Sequence, residues 1–473
     1  DVFSEVRLWD TLIFNHLLKE NIHIPPRTDN VKEEKYTGAY VKSPQVGQHK
    51  WIVSFDINSL YPHLIMQYNI SPEKIIGMKS DGISVDRLLK KKTPLDYLKT
   101  EGATITPNGA MFKNDSQGFL PKLMEKMYND RVHFKQLEFQ AKQEYQKTKD
   151  PLYQKEIARC HNIQWAKKIS LNSAYGAIGN QYFRFYDVRQ ATAITSSGQF
   201  VIQYIEKQVN KYMNEILQTK DQVDYIVASD TDSIYLTLDK LVDKVCKDKT
   251  KEQKLNFVDK VATQKIEPFI EKCFKELADY TNAFDQKMVM KREVIADKGI
   301  WTAKKRYMLN VLDEEGFRYD EPKLKIMGIE AVKSSTPEVC RVGIKEAIRL
   351  IMNKDEDALQ NYIADFKKEF HKFEPEQIAF PRSCNNLRKY RSDSSIFTKG
   401  TPIHIKGSLI YNYHLKSQKL DYKYPIIQEG DKIKFILLKE PNPFKFNVCA
   451  YLSTLPREFK LKDYIDYDLQ FEK

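Results

Sequence analysis

The chain has 473 residues, of which 41% are hydrophobic and 30% charged, and its formal net charge is +12 at pH 7. This composition is too apolar for a disordered chain, and the length indicates about two to four subdomains. No apolar run reaches the roughly 18 residues that a membrane-spanning helix needs, and no signal-peptide pattern is present, so we expect an intracellular protein without a membrane partner. The excess of Lys and Arg favours nucleic acid as the partner.

Six cysteines are scattered along the chain without a Cys-x-x-Cys pair. Zinc sites and disulfide frameworks need closely spaced or regularly spaced cysteines. We therefore expect reduced thiols, most of them buried.

The first predicted element is a helix within residues 1–27, and a polar linker follows it as far as Lys35. Residues 51–56 are rich in β-branched and aromatic side chains, which predicts a strand. The apolar face of the first helix is predicted from the spacing of Leu8, Leu12, Ile13 and Leu17.

Two long helices are predicted over residues 118–148 and 155–180, with a break at Lys149-Asp150-Pro151. Proline is tolerated only near a helix start, which favours a break between the two helices at this point. Helices joined by so short a connection run antiparallel and form a projection roughly 40 Å long.

A further helix is predicted over 188–218 and a β-hairpin over 224–238. Later in the chain, the segment 340–370 has the spacing of an amphipathic helix. Its apolar side is predicted from Val342, Ile344, Ile348, Ile351 and Met352.

Two separated segments each place carboxylates at the end of a strand-like run. Asp56 follows the first run, and Asp230 and Asp232 alternate at the end of the second. Neighbouring carboxylates repel one another unless a cation neutralises them, and Mg²⁺ favours oxygen ligands together with substrate phosphates. If folding brings Asp56 and Asp232 together, they can hold two Mg²⁺ ions about 3.5–4 Å apart.

Three longer motifs occur one after another along the chain, and together they show a family resemblance. The string Phe-Asp-x-x-Ser-Leu-Tyr-Pro around Asp56 resembles motif A of family B DNA polymerases. Lys-x-x-x-Asn-Ser-x-Tyr-Gly over residues 168–176 resembles motif B, and Asp-Thr-Asp over 230–232 resembles motif C. Over nearly the whole chain the sequence is most similar to the polymerases of T-even-like bacteriophages. If the source is viral, the site of action would be the host cytoplasm.

The resemblance implies the residues that act on the metal ions and the sugar. Asp56 and Asp232 would be catalytic metal ligands, and the backbone carbonyl of Ile57 would complete one site. Asp230 would be either a supporting residue or an ordinary turn carboxylate. Tyr61 matches the steric gate that excludes a 2′-hydroxyl.

The resemblance also implies a binding site for the incoming dNTP. Lys168 would grip the triphosphate and assist the departing pyrophosphate, which makes it a catalytic candidate. Gly176 would let the template base approach closely and so contact DNA. The remaining nucleotide-binding candidates are Ser59, Leu60, Arg131, Lys135, Asn172 and Tyr175.

The primer–template would be held through its phosphates, which position a duplex without reading its sequence. The string Lys304-Lys305-Arg306-Tyr307 resembles the family motif beside the primer terminus. Further duplex contacts are predicted at Asn386, Arg388, Lys389 and Tyr390.

The fold class that the resemblance implies is α+β, in the form of a right-hand polymerase. The palm, an antiparallel sheet with helices, would cover 28–117 and 181–333, after an N-terminal helix and linker over 1–27. Helical-hairpin fingers would cover 118–180, and a mixed thumb would cover 334–473.

The sequence departs from the family pattern in several places. Ala228-Ser229 stands where motif C usually has Tyr-Gly, and His63 stands where motif A often has Ser. We expect activity to survive, with altered rate and fidelity. We also expect fingers shorter than in T-even-like relatives, because Arg131 and Lys168 are closer in sequence than the resemblance implies.

No Phe-Asp-x-Glu exonuclease motif precedes residue 50. Either the sequence is a fragment, or a separate exonuclease polypeptide is a partner; a sliding clamp is a further possible partner. Two other functions stay open: a catalytically dead nucleic-acid-binding subunit that keeps the fold, and a terminal transferase or RNA-synthesising enzyme.

Overall fold

A computed structural model describes residues 4–31, 36–79, 81–219, 223–392 and 395–473. The protein is a mixed α+β structure with antiparallel sheets. It divides into two compact units: Asp1–Lys304 with Val311–Lys323, and Lys305–Asn310 with Leu324–Lys473. No helix among the described residues is long and apolar enough to cross a bilayer.

The first unit contains most of the secondary structure. Its helices are α1 (Glu5–Lys19), α2 (Leu60–Gln67), α3 (Val85–Leu89), α4 (Tyr97–Glu101), α5 (Phe119–Thr148), α6 (Pro151–Ile178), α7 (Val188–Leu217), α8 (Asp239–Cys246), α9 (Lys251–Val261) and α10 (Glu267–Tyr280), with a π-helical turn (Ala262–Ile266) joining the last two. Its strands are β1 (Gly47–Ile57), β2 (Ile75–Met78), β3 (Ala103–Ile105), β4 (Ala110–Lys113), β5 (Ile226–Asp230), β6 (Ser233–Thr237) and β7 (Met290–Ala303), followed by β8 (Arg306–Glu314) and β9 (Phe317–Met327), whose residues are shared with the second unit.

The main sheet has the strand order β5-β6-β1-β7-β8-β9. β1 pairs antiparallel with both β6 and β7, so it lies inside the sheet, and its residues from Trp51 to Phe55 are buried as a continuous run. A strand that is buried on both faces loses the usual alternation of polar and apolar residues. The sheet core also contains Tyr68, Phe200 and Phe274. Three shorter strands form a separate sheet in the order β2-β4-β3.

The predicted helical hairpin is confirmed as α5 and α6. Lys167 pairs with Asp130 at 2.8 Å and His161 contacts Glu138 at 3.2 Å, so residue numbers fall along one helix as they rise along the other. The helices are therefore antiparallel, and α5 is about 45 Å long at 1.5 Å per residue. Asp150 caps the start of α6 by accepting a hydrogen bond from Leu152 N–H.

The second unit has its own core, which includes Phe370, Tyr411, Phe435 and Tyr451. Its helices are α11 (Glu338–Asn353), α12 (Glu356–Phe370), α13 (Pro375–Ile378), α14 (Leu387–Tyr390), α15 (Ile403–Ser417) and α16 (Tyr467–Glu472), with 3₁₀ turns at Glu330–Val332, Arg457–Phe459 and Lys462–Tyr464. Its sheet consists of β10 (Phe380–Ser383), β11 (Lys432–Leu437) and β12 (Val448–Tyr451), in that order.

Other predicted elements are confirmed at nearly the expected bounds: the strand before Asp56, the helix α7 and the β5–β6 hairpin. All six cysteines are free, and five are buried. The predicted linker contains no helix or strand over residues 20–31, and its residues 32–35 lie outside the described part.

Two predictions of amphipathic faces were wrong in part. In α1, Leu8 is exposed, while Trp9 joins Ile13 and Leu17 on the buried side. The large indole at position 9 continues the i, i+4 row and takes the place that Leu8 would have filled.

The predicted helix over 340–370 is two helices, because Asp355 accepts a hydrogen bond from Ala358 N–H and starts α12. Ile348 and Met352 are buried as predicted, but Val342 and Ile351 are exposed. Packing of α11 against α12 uses a narrower stripe than the sequence pattern indicates.

Gly328 adopts φ +68°, and a Cβ atom placed there would lie 2.0 Å from the carbonyl oxygen of Lys305. We expect Gly328→Ala to lower the free energy of unfolding by roughly 2 kcal/mol or more, because the variant combines backbone strain with a clash against main chain. Chemical denaturation would measure this. Gly316→Ala is the matched control: Gly316 has φ +91° but open space around its Cβ position, so it should lose only about 1 kcal/mol. Equal losses would contradict the clash.

Candidate active site

A cavity of about 870 Å³ opens in the first unit where β1, the β5–β6 turn and the two long helices meet. Ten residues singled out from the sequence line it. They are Asp56, Ile57, Ser59, Leu60, Tyr61, Arg131, Lys135, Lys168, Asn172 and Asp232.

Hydrogen bonds between strands bring the two carboxylate segments together. Asp56 lies opposite Ser233 in the β1–β6 ladder, and Ile57 N–H donates to the carbonyl oxygen of Asp232 at 2.8 Å. Thr231, with φ 59°, forms the tight turn that follows β5. Asp232 therefore sits beside the end of β1, and both Asp56 and Asp232 reach the cavity.

Asp230 is placed differently from these two residues. It ends β5 opposite Ser233, its carboxylate accepts a hydrogen bond from the Thr231 hydroxyl at 3.0 Å, and it does not line the cavity. This placement is compatible with either predicted role for Asp230, a supporting residue or a turn carboxylate.

The donor set at the carboxylate end of the cavity fits magnesium. Two carboxylates, Asp56 and Asp232, and the main chain of Ile57 supply only oxygen donors. Among the described residues no group of three or more His, Cys, Asp or Glu side chains is arranged to hold a metal. A Mg²⁺ ion bound by one or two carboxylates takes its other ligands from water and phosphates, so the residues present suit an ion that arrives with a phosphate substrate.

The loop between Ile57 and α2 offers backbone N–H groups to an anion. Ser59 adopts a left-handed conformation with φ 47° and ψ 57°, and α2 begins at Leu60 without a side-chain cap. The first N–H groups of a helix have no intrahelical acceptor, and the positive end of the helix dipole lies there. The N–H groups of Leu60 and Tyr61 are thus suited to phosphate oxygens.

Cationic side chains from α5 and α6 face the same cavity. The Arg131 guanidinium donates to the Ser59 hydroxyl at 3.1 Å, and burial lowers the pKa of Arg131 below its ordinary value. Its Nε is buried without a hydrogen-bond partner among the described residues. Among the described residues, Lys135 forms a loose, exposed ion pair with Glu315, at 3.8 Å. Such pairs contribute little, so Lys135 can turn to an anionic ligand.

Tyr61 packs against Tyr175, with ring centroids 4.8 Å apart. The Tyr36 ring contacts the Tyr175 ring edge-on, with 6.4 Å between their centroids. Burial, and then the charge of Asp232, raise the pKa of Tyr61 above its ordinary value. Tyr175 supports the ring of Tyr61 but does not itself line the cavity.

Sequence reasoning missed Tyr36 and eight residues that line the cavity. Tyr36 lies in a polar stretch without a periodic pattern, so no local signal indicates its role. The missed lining residues are Asn58, Thr231, Thr263, Glu267, Lys291, Arg292, Glu293 and Glu315. Asn58 and Thr231 stand within two residues of motif aspartates and could have been found from that proximity alone.

Helix α1 braces α6 beside the site. The Trp9 indole N–H donates to the carbonyl oxygen of Ser170 at 3.0 Å and contacts the Ser173 hydroxyl at 3.2 Å. A Cβ atom at Gly176 would lie 3.1 Å from a carboxylate oxygen of Glu5. The Glu5 carboxylate ends a flexible side chain that can move aside, so this contact alone does not require glycine, and the predicted contact of Gly176 with a template base stays a prediction.

The buried carboxylate of Asp10 anchors α1 through Arg184, at 2.9 Å, and Arg27. Burial alone would raise the pKa of Asp10, but the hydrogen bonds from Arg184 and Arg27 outweigh it and hold the pKa below its ordinary value. We expect Asp10→Asn to lower the free energy of unfolding by about 2 kcal/mol at pH 7.

A carboxylate with a depressed folded pKa stabilises fully above its unfolded pKa, and the contribution is lost as pH falls through the folded pKa. The difference between wild type and Asp10→Asn should therefore shrink below pH ~4. Denaturation across pH 3–7 would measure it, with the exposed Asp29→Asn as control. A constant difference down to pH ~3 would contradict the assignment.

The predicted primer-contacting string lies at the turn between β7 and β8. Lys304 Nζ donates to the carbonyl oxygen of Val41 at 2.9 Å. Lys305 adopts φ 60° in the turn. Both residues are exposed.

The residues of this string from Lys305 onward belong to the second unit. Arg306 makes a two-pronged contact with Glu330, at 2.9 and 2.6 Å, and Tyr307 is buried. Hydrogen bonds from Arg306 and then Lys333 lower the pKa of Glu330 to about 2. The four residues are thus structured by protein contacts, and their contact with DNA stays a prediction.

A second cavity, of about 1020 Å³, lies in the second unit and is lined by Arg388, Arg391 and Lys416 among others. Asn386 precedes α14 in a left-handed conformation, with φ 63°. Of the four predicted duplex contacts, Arg388 lines this cavity and Asn386, Lys389 and Tyr390 do not; contact with DNA stays a prediction for all four.

The motif departures have local explanations. His63 is buried, its Nδ1–H donates to the Ser59 carbonyl oxygen at 3.0 Å, and its ring packs edge-on against Tyr128. Burial lowers the pKa of His63, so a neutral ring fits this contact. Ser229 is also buried, so the extra side chain in motif C points into the protein interior.

The chain is similar to known DNA polymerases over nearly its whole length. The family model for DNA polymerase family B matches residues 6–468. The DNA-directed DNA polymerases of Escherichia phage RB69 and Enterobacteria phage T4 are 36% and 34% identical over all of this chain. A DNA polymerase of Pyrococcus glycovorans is 25% identical over 76% of the chain and 38% of its own length. The chain spans 57% and 58% of the length of the two phage relatives.

Proposed function

This chain belongs to DNA polymerase family B, and from that membership and the cavity we propose that it is a template-directed DNA polymerase that adds dNTPs to a primer 3′-hydroxyl. The observation that carries the proposal is the meeting of motif A and motif C carboxylates with cationic residues of the helical hairpin around one cavity. Phosphoryl transfer between nucleotides needs these two features together.

The residues on the two sides of the cavity would have different roles in such a reaction. Asp56, Asp232 and the carbonyl of Ile57 would hold two Mg²⁺ ions. When bound, these ions would favour ionisation of the primer hydroxyl and stabilise the leaving pyrophosphate. On the opposite side, Arg131 and Lys168 would hold the triphosphate oxygens, with Lys135 and the N–H groups at the start of α2. Asn172 would pack beside the nascent base pair.

We further propose the right-hand organisation, with fingers at 118–180, a palm at 28–117 and 181–333, and a thumb at 334–473. The antiparallel pair α5 and α6 supports the fingers assignment, since it projects as one helical hairpin from the cavity. Polymerisation is the activity proposed for these residues; a 3′–5′ exonuclease, on a separate polypeptide or in a domain of the same protein, and a sliding clamp are proposed to act with them.

Primer extension by the purified chain with Mg²⁺ and all four dNTPs would test the proposal. Extension that follows the template sequence and disappears when template is omitted would support it. Extension without template would indicate a terminal transferase. Binding of primer–template without any extension, with or without added exonuclease polypeptide, would support the alternative of a catalytically dead DNA-binding subunit.

A further inference from the structure

Trp165 differs from the other three tryptophans of the chain by its exposure. Trp9, Trp51 and Trp301 are each at least 92% buried, whereas Trp165 is 50% exposed on α6. It stands three residues before Lys168, so both side chains lie on one side of the helix. A half-exposed indole next to a cavity-lining lysine is not explained by core packing.

The Lys168 ammonium lies over the Trp165 ring, 5.2 Å from its centroid. This is within the roughly 6 Å range of cation–π attraction, for which tryptophan is the best aromatic partner. Lys168 lines the cavity in this same conformation. The contact therefore holds the ammonium in a position that faces the cavity.

The indole is itself fixed from the other direction along the helix. The His161 ring stacks with it, 6.1 Å between centroids and 18° between planes. His161 Nδ1 lies 3.2 Å from a carboxylate oxygen of Glu138 on α5. Glu138 is buried and also accepts hydrogen bonds from Lys142, at 2.6 Å, and Gln164, at 3.3 Å.

A chain of contacts thus runs from a buried carboxylate through two stacked rings to the cavity. A free lysine side chain has many rotamers, and fixing one when a ligand binds costs conformational entropy. Contact with Trp165 removes part of that cost before the ligand arrives, which is preorganisation.

We propose that Trp165 is a positioning residue that holds Lys168 toward the triphosphate of the incoming nucleotide. The proposal rests on the proposed polymerase function for its nucleotide, but the contact between Trp165 and Lys168 can be tested without activity. Trp165 acts through Lys168 and does not itself line the cavity.

Single-nucleotide incorporation kinetics would test the effect on substrate. Trp165→Leu removes the aromatic face and should raise KM for the dNTP about two- to fivefold, with kcat within about twofold of wild type. Trp165→Phe keeps a π face and should stay closer to wild type. The proposal is overturned if Trp165→Leu leaves KM unchanged, or if Trp165→Phe is as impaired as Trp165→Leu.

Nucleotide affinity gives a second test. The dissociation constant for dNTP, measured on a dideoxy-terminated primer–template, should rise about two- to fivefold with Trp165→Leu alone and not further when it is added to Lys168→Met. Equal effects in both backgrounds would show that Trp165 acts independently of Lys168 and would overturn the proposal.

Fluorescence of the nucleotide-free protein separates this inference from the polymerase proposal. The Trp165 contribution, obtained by subtracting the Trp165→Phe spectrum, should change in Lys168→Met because the cation leaves the ring. An unchanged contribution would overturn the inference even if wild type extends primers. A changed contribution with no extension by wild type would leave the contact established and count against the polymerase function alone.

Discussion

Replacing Asp232 by alanine is expected to lower the rate of template-directed primer extension by roughly 10³-fold or more, about 4 kcal/mol of activation free energy. Asp232 lies against Ile57 at the cavity, where it would share metal ions with Asp56. Without its carboxylate, one metal position loses its protein anchor, and charge that develops on the phosphates is no longer balanced. Rapid-quench measurement of single-nucleotide incorporation at saturating dNTP gives the rate directly.

Asp230→Ala is the matched control for this experiment. Asp230 has the same charge and belongs to the same hairpin, but it does not line the cavity. We expect its loss to reduce the rate far less than the loss of Asp232, and we expect both variants to bind primer–template within a few-fold of wild type. Equal loss in the two variants would mean that hairpin stability, and not metal binding, limits the rate. Full activity of Asp232→Ala would refute the proposed site.

Much of the local structure follows from the sequence because short-range chemistry determines it. Asp150 and Pro151 form a helix start whose capping and fixed φ act within a few residues, so the hairpin break was predicted at the right place. The boundary at Asp355 uses the same kind of cap. The apolar spacing continues on both sides of it, so the periodicity predicts one uninterrupted helix over 340–370. At this position the helix cap, and not the apolar periodicity, determines where the helix starts.

The residues of the site likewise fall into two groups: those that neighbouring residues in the sequence predict, and those that only the folded sheet brings to the cavity. The residues that were predicted lie in strings where several functional side chains are adjacent, such as Ser59, Leu60 and Tyr61. Glu315 and Glu293 reach the cavity only because the β8–β9 turn and β7 approach it in the folded sheet, where Glu315 N–H donates to the Glu293 carbonyl at 2.7 Å. No spacing in the sequence predicts that approach, since it depends on strand order within the sheet.

The ring of Tyr61 is expected to determine whether a deoxyribose or a ribose is accepted. Tyr61→Ala should raise incorporation of ribonucleotides relative to deoxyribonucleotides by roughly 10²-fold, about 3 kcal/mol of discrimination. Tyr175 packs against the ring of Tyr61 but does not itself line the cavity. The ring of Tyr61 therefore cannot easily move away when a 2′-hydroxyl presses on it. A rigid block rejects the larger sugar by clash, and alanine removes the block.

Tyr61→Phe is the control that separates the ring from its hydroxyl. Phenylalanine keeps the packing against Tyr175, so discrimination should stay close to wild type. The measurement is the ratio of kcat/KM for dATP and ATP opposite a template thymine in the three proteins. If phenylalanine is as permissive as alanine, the hydroxyl and not the ring rejects the ribose. If alanine keeps the wild-type ratio, sugar selection lies elsewhere in the cavity, and the role of Tyr61 is limited to packing against Tyr175.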